Sequence, residues 1–96
     1  LKTQRFLTVI DNGPESFGAF SPDIQDCIAF STSREEVSLL YQLAAEAHLR
    51  EISSAGEPLP EPVTEGIPGL QIGVQTGAIT LEWTTVQLPV PVAAEA

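Results

Sequence analysis

Ser33-Arg34-Glu35-Glu36-Val37-Ser38-Leu39-Leu40-Tyr41 opens a stretch that continues to Ser54 without a glycine or a proline. The spacing of Ser33 and Glu36 predicts a capping box. In it the serine hydroxyl accepts from the amide three residues on, and the glutamate reaches back to the serine amide. Glu35 and Glu36 also suit the positive end of a helix dipole. Gly56 and Pro58 supply the stop, so the spacing predicts one helix from about residue 34 to 54. On a helical wheel Val37, Leu40, Tyr41, Ala44 and His48 share one face. Leu43 and Ala47 flank it on one side, Ala45 and Ile52 on the other. The polar strip of Ser38, Gln42, Glu46 and Ser53 is narrow. So wide an apolar arc exceeds what one sheet face usually covers, and predicts that part of it packs on another subunit.

Upstream of this helix the periodicity changes to that of strands. Gln4 to Ile10 is β-rich and ends at Asp11-Asn12-Gly13-Pro14, a cluster of turn formers. Phe17–Phe20 reads as a second short strand, broken by Ser21-Pro22-Asp23, and Cys27–Phe30 as a third. Such short, close strands predict an antiparallel meander. Downstream, residues 56–77 form a Pro/Gly/Glu-rich connection, stiff and extended over Glu57–Pro62, with room for a weak strand in 67–75. A last strand is expected over about 78–90. Ile79, Leu81, Trp83, Thr85 and Gln87 lie on one of its faces, and Thr80, Glu82, Thr84, Val86 and Leu88 on the other. Pro89 and Pro91 end it, and 91–96 reads as a frayed tail. The result is a single α+β domain over 1–96 of order βββαβ, with one helix on a small, mainly antiparallel sheet.

Ninety-six residues support one modest core, which oligomerisation would supplement. A hydrophobic fraction of 43% with 18% charged residues is globular rather than disordered. No apolar run is long enough for a membrane span and no signal-peptide pattern opens the chain, so a cytoplasmic protein is expected. A single cysteine cannot close an intrachain disulfide, which fits that compartment. Thirteen acids against Lys2, Arg5, Arg34 and Arg50 give a net charge of −9. Four scattered bases make no footprint for phosphates, so direct DNA binding is not expected. Acidity on this scale either attracts a basic partner or simply keeps the surface soluble.

One ordered series of signals goes further. Gly18-Ala19-Phe20-Ser21-Pro22-Asp23-Ile24 leads to Cys27, then to Ser33-Arg34-Glu35-Glu36, the helix, and Gly56-Glu57-Pro58-Leu59-Pro60-Glu61-Pro62. In order and spacing this resembles the HicB family of antitoxins, whose members read G-x-x-A-x-x-P-D-L-P-G-C, then G-D-T-x-E-E-A, then a helix and G-x-P-I-P-x-P. The chain departs from that pattern at Gln25-Asp26, in place of P-G, and at Ser31-Thr32-Ser33, in place of G-D-T. The resemblance implies a truncated RNase H-like fold. It also implies an antitoxin that covers the active face of HicA, a small basic RNA-cleaving toxin. Many members continue into an operator-binding domain; here one strand and a Pro-rich tail follow, so no C-terminal DNA-binding domain is expected. The alternative is a solitary homologue serving as an oligomeric structural or regulatory module.

No catalytic residue, cofactor or metal site is expected. Asp11, Asp23, Asp26 and Glu82 lie near strand ends, where a nuclease would gather carboxylates around metal ions, but spacing alone does not bring them together. Cys27 and His48, without a further signature, read as a small buried residue and a core or edge histidine. Trp83 reads as a core anchor of the last strand, or as an interface hot spot if it points outward. The acids placed to meet a basic partner are Asp23, at the P-D position, Asp26, Glu57 and Glu61. Each has a local alternative, such as a turn cap for Asp23 or simple solvation for the glutamates.

Overall fold

The computed structural model describes residues 2–66 and 71–88. Three strands come first: β1 (Lys2–Asn12), β2 (Phe17–Ser21) and β3 (Ile24–Ser31). The long helix α1 (Arg34–Ser54) follows, then a short helix α2 (Gln71–Thr76), then β4 (Ile79–Leu88). The strands form one antiparallel sheet of order β3-β2-β1-β4, so the last strand returns beside the first. The expected α+β architecture, with a meander, a helix and a final strand, is the one observed. The 67–75 strand is not. Gln71–Thr76 is helical, its end closed by the Thr76 hydroxyl donating to the Gly73 carbonyl, and 67–70 lie outside the described residues. The tail 91–96 and positions 89–90 lie outside them too.

Turn chemistry sets the register. The Gly13 amide donates to the Ser16 carbonyl, and a Cβ at Gly13 would stand 2.7 Å from that oxygen, so the β1–β2 turn requires glycine. The β2–β3 turn is tighter than expected, pairing Ser21 with Ile24 through a register shift after Phe20. Asp26 takes a left-handed backbone, φ 61°, which breaks the alternation of β3. Ile24 and Cys27, three apart, therefore both enter the core.

Ser33 caps α1 as expected, its Oγ accepting from the Glu36 amide at 3.2 Å. The reciprocal half of the box is replaced, because the Ser33 amide donates to Ser31 Oγ rather than to Glu36. At the far end Gly56, at φ 76°, and Glu57 donate to the Ser53 and Ile52 carbonyls, a Schellman closure.

The face that α1 buries is rotated from the predicted one, sharing Val37 and Tyr41 with it but not Leu40 or His48. Val37, Tyr41, Ala45 and Leu49 are fully buried, whereas Leu40 and Leu43 are exposed and His48 is half-buried. The cause lies in the polar strip. Arg34 Nη2 and Ser38 Oγ both donate to the Glu82 carboxylate, at 3.1 and 2.7 Å, and Glu46 accepts from the Gln87 amide at 3.0 Å. The edge of the helix expected to face water is thus clamped to β4. The clamp turns the neighbouring i, i+4 stripe onto the sheet.

That stripe meets Phe6 and Ile10 of β1, Ala19 of β2, Cys27 and Ala29 of β3, and Val86 of β4. A polar seam crosses the same layer. Thr8 Oγ1 lies 3.1 Å from Ser21 Oγ, 2.6 Å from Thr84 Oγ1 and 3.2 Å from the Phe6 carbonyl. One hydroxyl can donate once and accept twice, so all three contacts are satisfied together. Tyr41 is different. Its hydroxyl faces Ser21 and Cys27 yet makes no hydrogen bond of ordinary geometry, and burial pushes it up to about 12.

Two outcomes follow from this packing. Leu49→Ala should cost about 2–4 kcal/mol in urea denaturation, and Leu43→Ala less than about 0.5 kcal/mol; equal losses would mean that the helix is rotated. Because Tyr41 holds its proton more tightly folded than unfolded, its contribution is complete below about pH 10 and is lost as pH rises towards about 12. Tyr41 is the only tyrosine, so absorbance at 295 nm reads its titration directly, and Tyr41→Phe should flatten stability across that window.

Candidate partner-binding site

A groove of about 530 Å³ lies between the β2–β3 turn, the C-terminal half of α1 and the Pro-rich segment that follows it. Asp23, Asp26, His48, Ile52, Glu57 and Pro58 contribute to its lining. Three of the four acids expected to meet a partner therefore share one depression, although 34 positions separate Asp23 from Glu57. Glu61 is exposed but does not line it.

The four acids differ in what holds them. Asp23 is a fastener, accepting from the Thr64 amide at 2.8 Å and from Thr64 Oγ1 at 2.7 Å. These bonds tie the Pro-rich segment across the β2–β3 turn, while Leu59 of that segment packs against the core. Asp26 is exposed on its left-handed corner, and Glu57 is exposed just beyond the helix closure. Thr64 was missed in the sequence, and no local signal could have found it, since its partner lies 41 positions away.

The carboxylates considered for catalysis disperse. Glu82 is held by Arg34 and Ser38 on the α1 side, Asp23 by Thr64, and Asp11 lies on the other face of the sheet beside Gly18 and Ile79. Among the described residues no three His, Cys, Asp or Glu side chains are placed to hold a metal ion. Cys27 is buried beside Tyr41, and burial pushes its thiol above the usual range, away from nucleophilic use. Trp83 is no core anchor. Like the other odd residues of β4 it faces away from α1, is 45% exposed, and carries the Arg5 guanidinium 5.2 Å from its ring centroid. No helix among the described residues is long and apolar enough to cross a membrane.

The sequence matches no family model and no curated protein. Solved structures do match. A chain of a HicA3 and HicB3 toxin–antitoxin complex superimposes with a TM-score of 0.63 at 19% identity, over 91% of this chain and 100% of that one. The HicB3 antitoxin crystal structure superimposes with a TM-score of 0.62 at 22% identity, over 97% of this chain and 67% of that one. The chain has the HicB antitoxin fold. In this HicB-like domain the P-D aspartate, Asp23, is spent internally, and the acids left exposed at the groove are Asp26 and Glu57.

Asp23→Asn should weaken the charged acceptor of the Thr64 bonds and cost about 1–2 kcal/mol. Proteolysis within 57–66 should accelerate. If neither stability nor cleavage changes, the segment is held by something other than Asp23.

Proposed function

We propose that this protein is a cytosolic, non-enzymatic antitoxin that binds and blocks a small basic RNA-cleaving toxin of the HicA type. The observation that carries the reading is the shared fold with a chain of the HicA3–HicB3 complex, which extends over the whole of that chain. Charge supports it. A net charge of −9 suits a basic partner, and the exposed carboxylates of Asp26 and Glu57 stand together at one groove. Two of the four bases are engaged elsewhere. Arg34 is paired with Glu82 at 3.1 Å, and Arg5 lies over Trp83 on the other side of the sheet.

A solitary oligomeric module is the second reading, favoured by the apolar surface that the monomer leaves open at Phe30, Ile28 and Trp83. The neighbouring reading frame separates the two readings. A short basic protein encoded there supports the antitoxin.

With such a protein in hand, the association rate should fall as salt rises while dissociation changes less, because screening acts on the approach rather than on the packed interface. Asp26→Asn combined with Glu57→Gln should lower the on-rate about threefold to tenfold at low salt. An unchanged on-rate and salt dependence would place the contact elsewhere.

A further inference from the structure

The sheet has two edges, and one of them is distorted. At β3 the register shift after Phe20 and the left-handed Asp26 break the regularity of the outer strand. β4 is regular, paired with β1 without interruption from Ile79 to Leu88. Two bonds fix which of its backbone groups point outward. Asn12 donates its amide to the Ala78 carbonyl, so the even positions turn towards β1. Gln87 donates its amide to Glu46, away from β1, so the odd positions turn outward. The backbone amides and carbonyls of Leu81, Trp83 and Thr85 therefore face away from the sheet, and no hydrogen bond among the described residues reaches them.

This open stretch is bounded at both ends. The short helix α2 rests on Ile79, since a Cβ at Gly73 would stand 2.7 Å from Ile79 Cδ1, and Glu46 caps the Gln87 amide. In between, a groove of about 430 Å³ runs beside the edge, lined by Glu35, Leu39 and Gln42 of α1 and by Trp83 and Thr85 of β4. Leu39 and Trp83 are 55 and 45% exposed, one on each side of the position that a fifth strand would take. An unpaired edge without a lysine, a proline or a bulge is a template for strand addition.

We propose that this edge takes such a strand, an extended and positively charged segment of another protein, laid between α1 and the Leu81–Thr85 backbone. Charge selects the occupant. The groove lining contains Glu35 and Glu82 and no base, and Glu46 stands at its end. Glu82 is already matched by Arg34, whereas Glu35 is exposed. A second copy of the edge would set the same carboxylates against one another. Spacing selects the pattern. Side chains on one face of a strand recur about every 6.6 Å, and Glu35 lies about 6 Å along the helix from Leu39. On the side facing α1, the added strand therefore places a basic residue two positions from an apolar one. Its other side meets Trp83, which already carries Arg5, and takes uncharged side chains. The added strand does not depend on the antitoxin reading and leaves the acidic groove free, since β4 and the β2–β3 turn lie at opposite ends of the strand order.

The probe is a synthetic peptide alternating threonine with lysine, valine and lysine, so that the last three share one face. In the free chain the Trp83 and Thr85 amides should exchange hydrogen fast while those of Glu82 and Thr84 are protected. Added peptide should slow the first pair and shift the emission of Trp83, the only tryptophan. N-methylation along the pairing edge of the peptide should weaken binding at least about tenfold, as should Thr85→Pro. That proline removes only an outward amide, so the circular dichroism spectrum should be unchanged. Leu39→Lys and, separately, Glu35→Gln alter exposed positions and should each weaken binding about threefold to tenfold at low salt. Glu61→Gln removes the same charge elsewhere and should not. The proposal is overturned by a peptide that fails to bind at about 1 mM, or by an N-methylated form that binds as well as its parent. It is equally overturned by slow odd and fast even amides in the free chain, or by a dimer that Thr85→Pro dissolves, which would give the edge to a second copy.

Discussion

One helix lies on one face of a four-stranded sheet, and most other features of the molecule follow from how it is held there. A sheet offers two apolar faces, and α1, with 21 residues, is long enough to cover one of them. Its rotation is fixed by polar bonds at its edge, from Arg34 and Ser38 to Glu82 and from the Gln87 amide to Glu46. Bonds to a half-buried carboxylate contribute on the order of 1 kcal/mol each, enough together to decide between stripes of similar apolarity. Their effect is geometric. They choose which of several apolar stripes enters the core, and the chosen stripe combines Tyr41 with the small Ala45, so that bulk and close approach alternate along the sheet. The unused leucines at 39, 40 and 43 stay outside as a consequence.

The same clamp explains why the fold was legible in the sequence and the packing was not. Local signals (turn residues, a serine cap, alternation, the Gly56 stop) mark where each element begins and ends, and the order βββαβ emerges from them. Rotation of the helix is decided by Glu82, 44 positions from Ser38, and no local pattern records that contact. The outward position of Trp83 escapes the local pattern for a related reason. Alternation separates the two faces of β4, but which one meets α1 depends on Thr84 joining Thr8 and on Val86 joining the core. The acids fared in between. Asp23, Asp26 and Glu57 do share a groove, while the internal role of Asp23 required knowing where Thr64 returns.

The distribution of charge makes the two open surfaces physically different. Carboxylates act at a distance and set the rate of encounter, so an exposed pair at a groove suits a partner that arrives by diffusion. An apolar sheet face acts only at contact.

The connection after α1 links these surfaces to the fold itself. Leaving the helix, the chain must pass from the α1 side of the sheet to the opposite side, where α2 meets Ile79, before β4 can return beside β1. Prolines at 58, 60 and 62 limit the conformations available to it, and Asp23 fixes its course at Thr64. The arrival is fastened as well: Asn12 donates through its amide to the Gly77 carbonyl and Thr80 Oγ1, at 2.9 and 2.8 Å. The wall of the acidic groove, which Glu57, Pro58 and Pro60 help to build, is therefore part of the same constraint that lets the last strand find its place. Loosening Asp23 relaxes both at once, and this makes an internal bond at the P-D turn more consequential for the groove than a further exposed charge there would be.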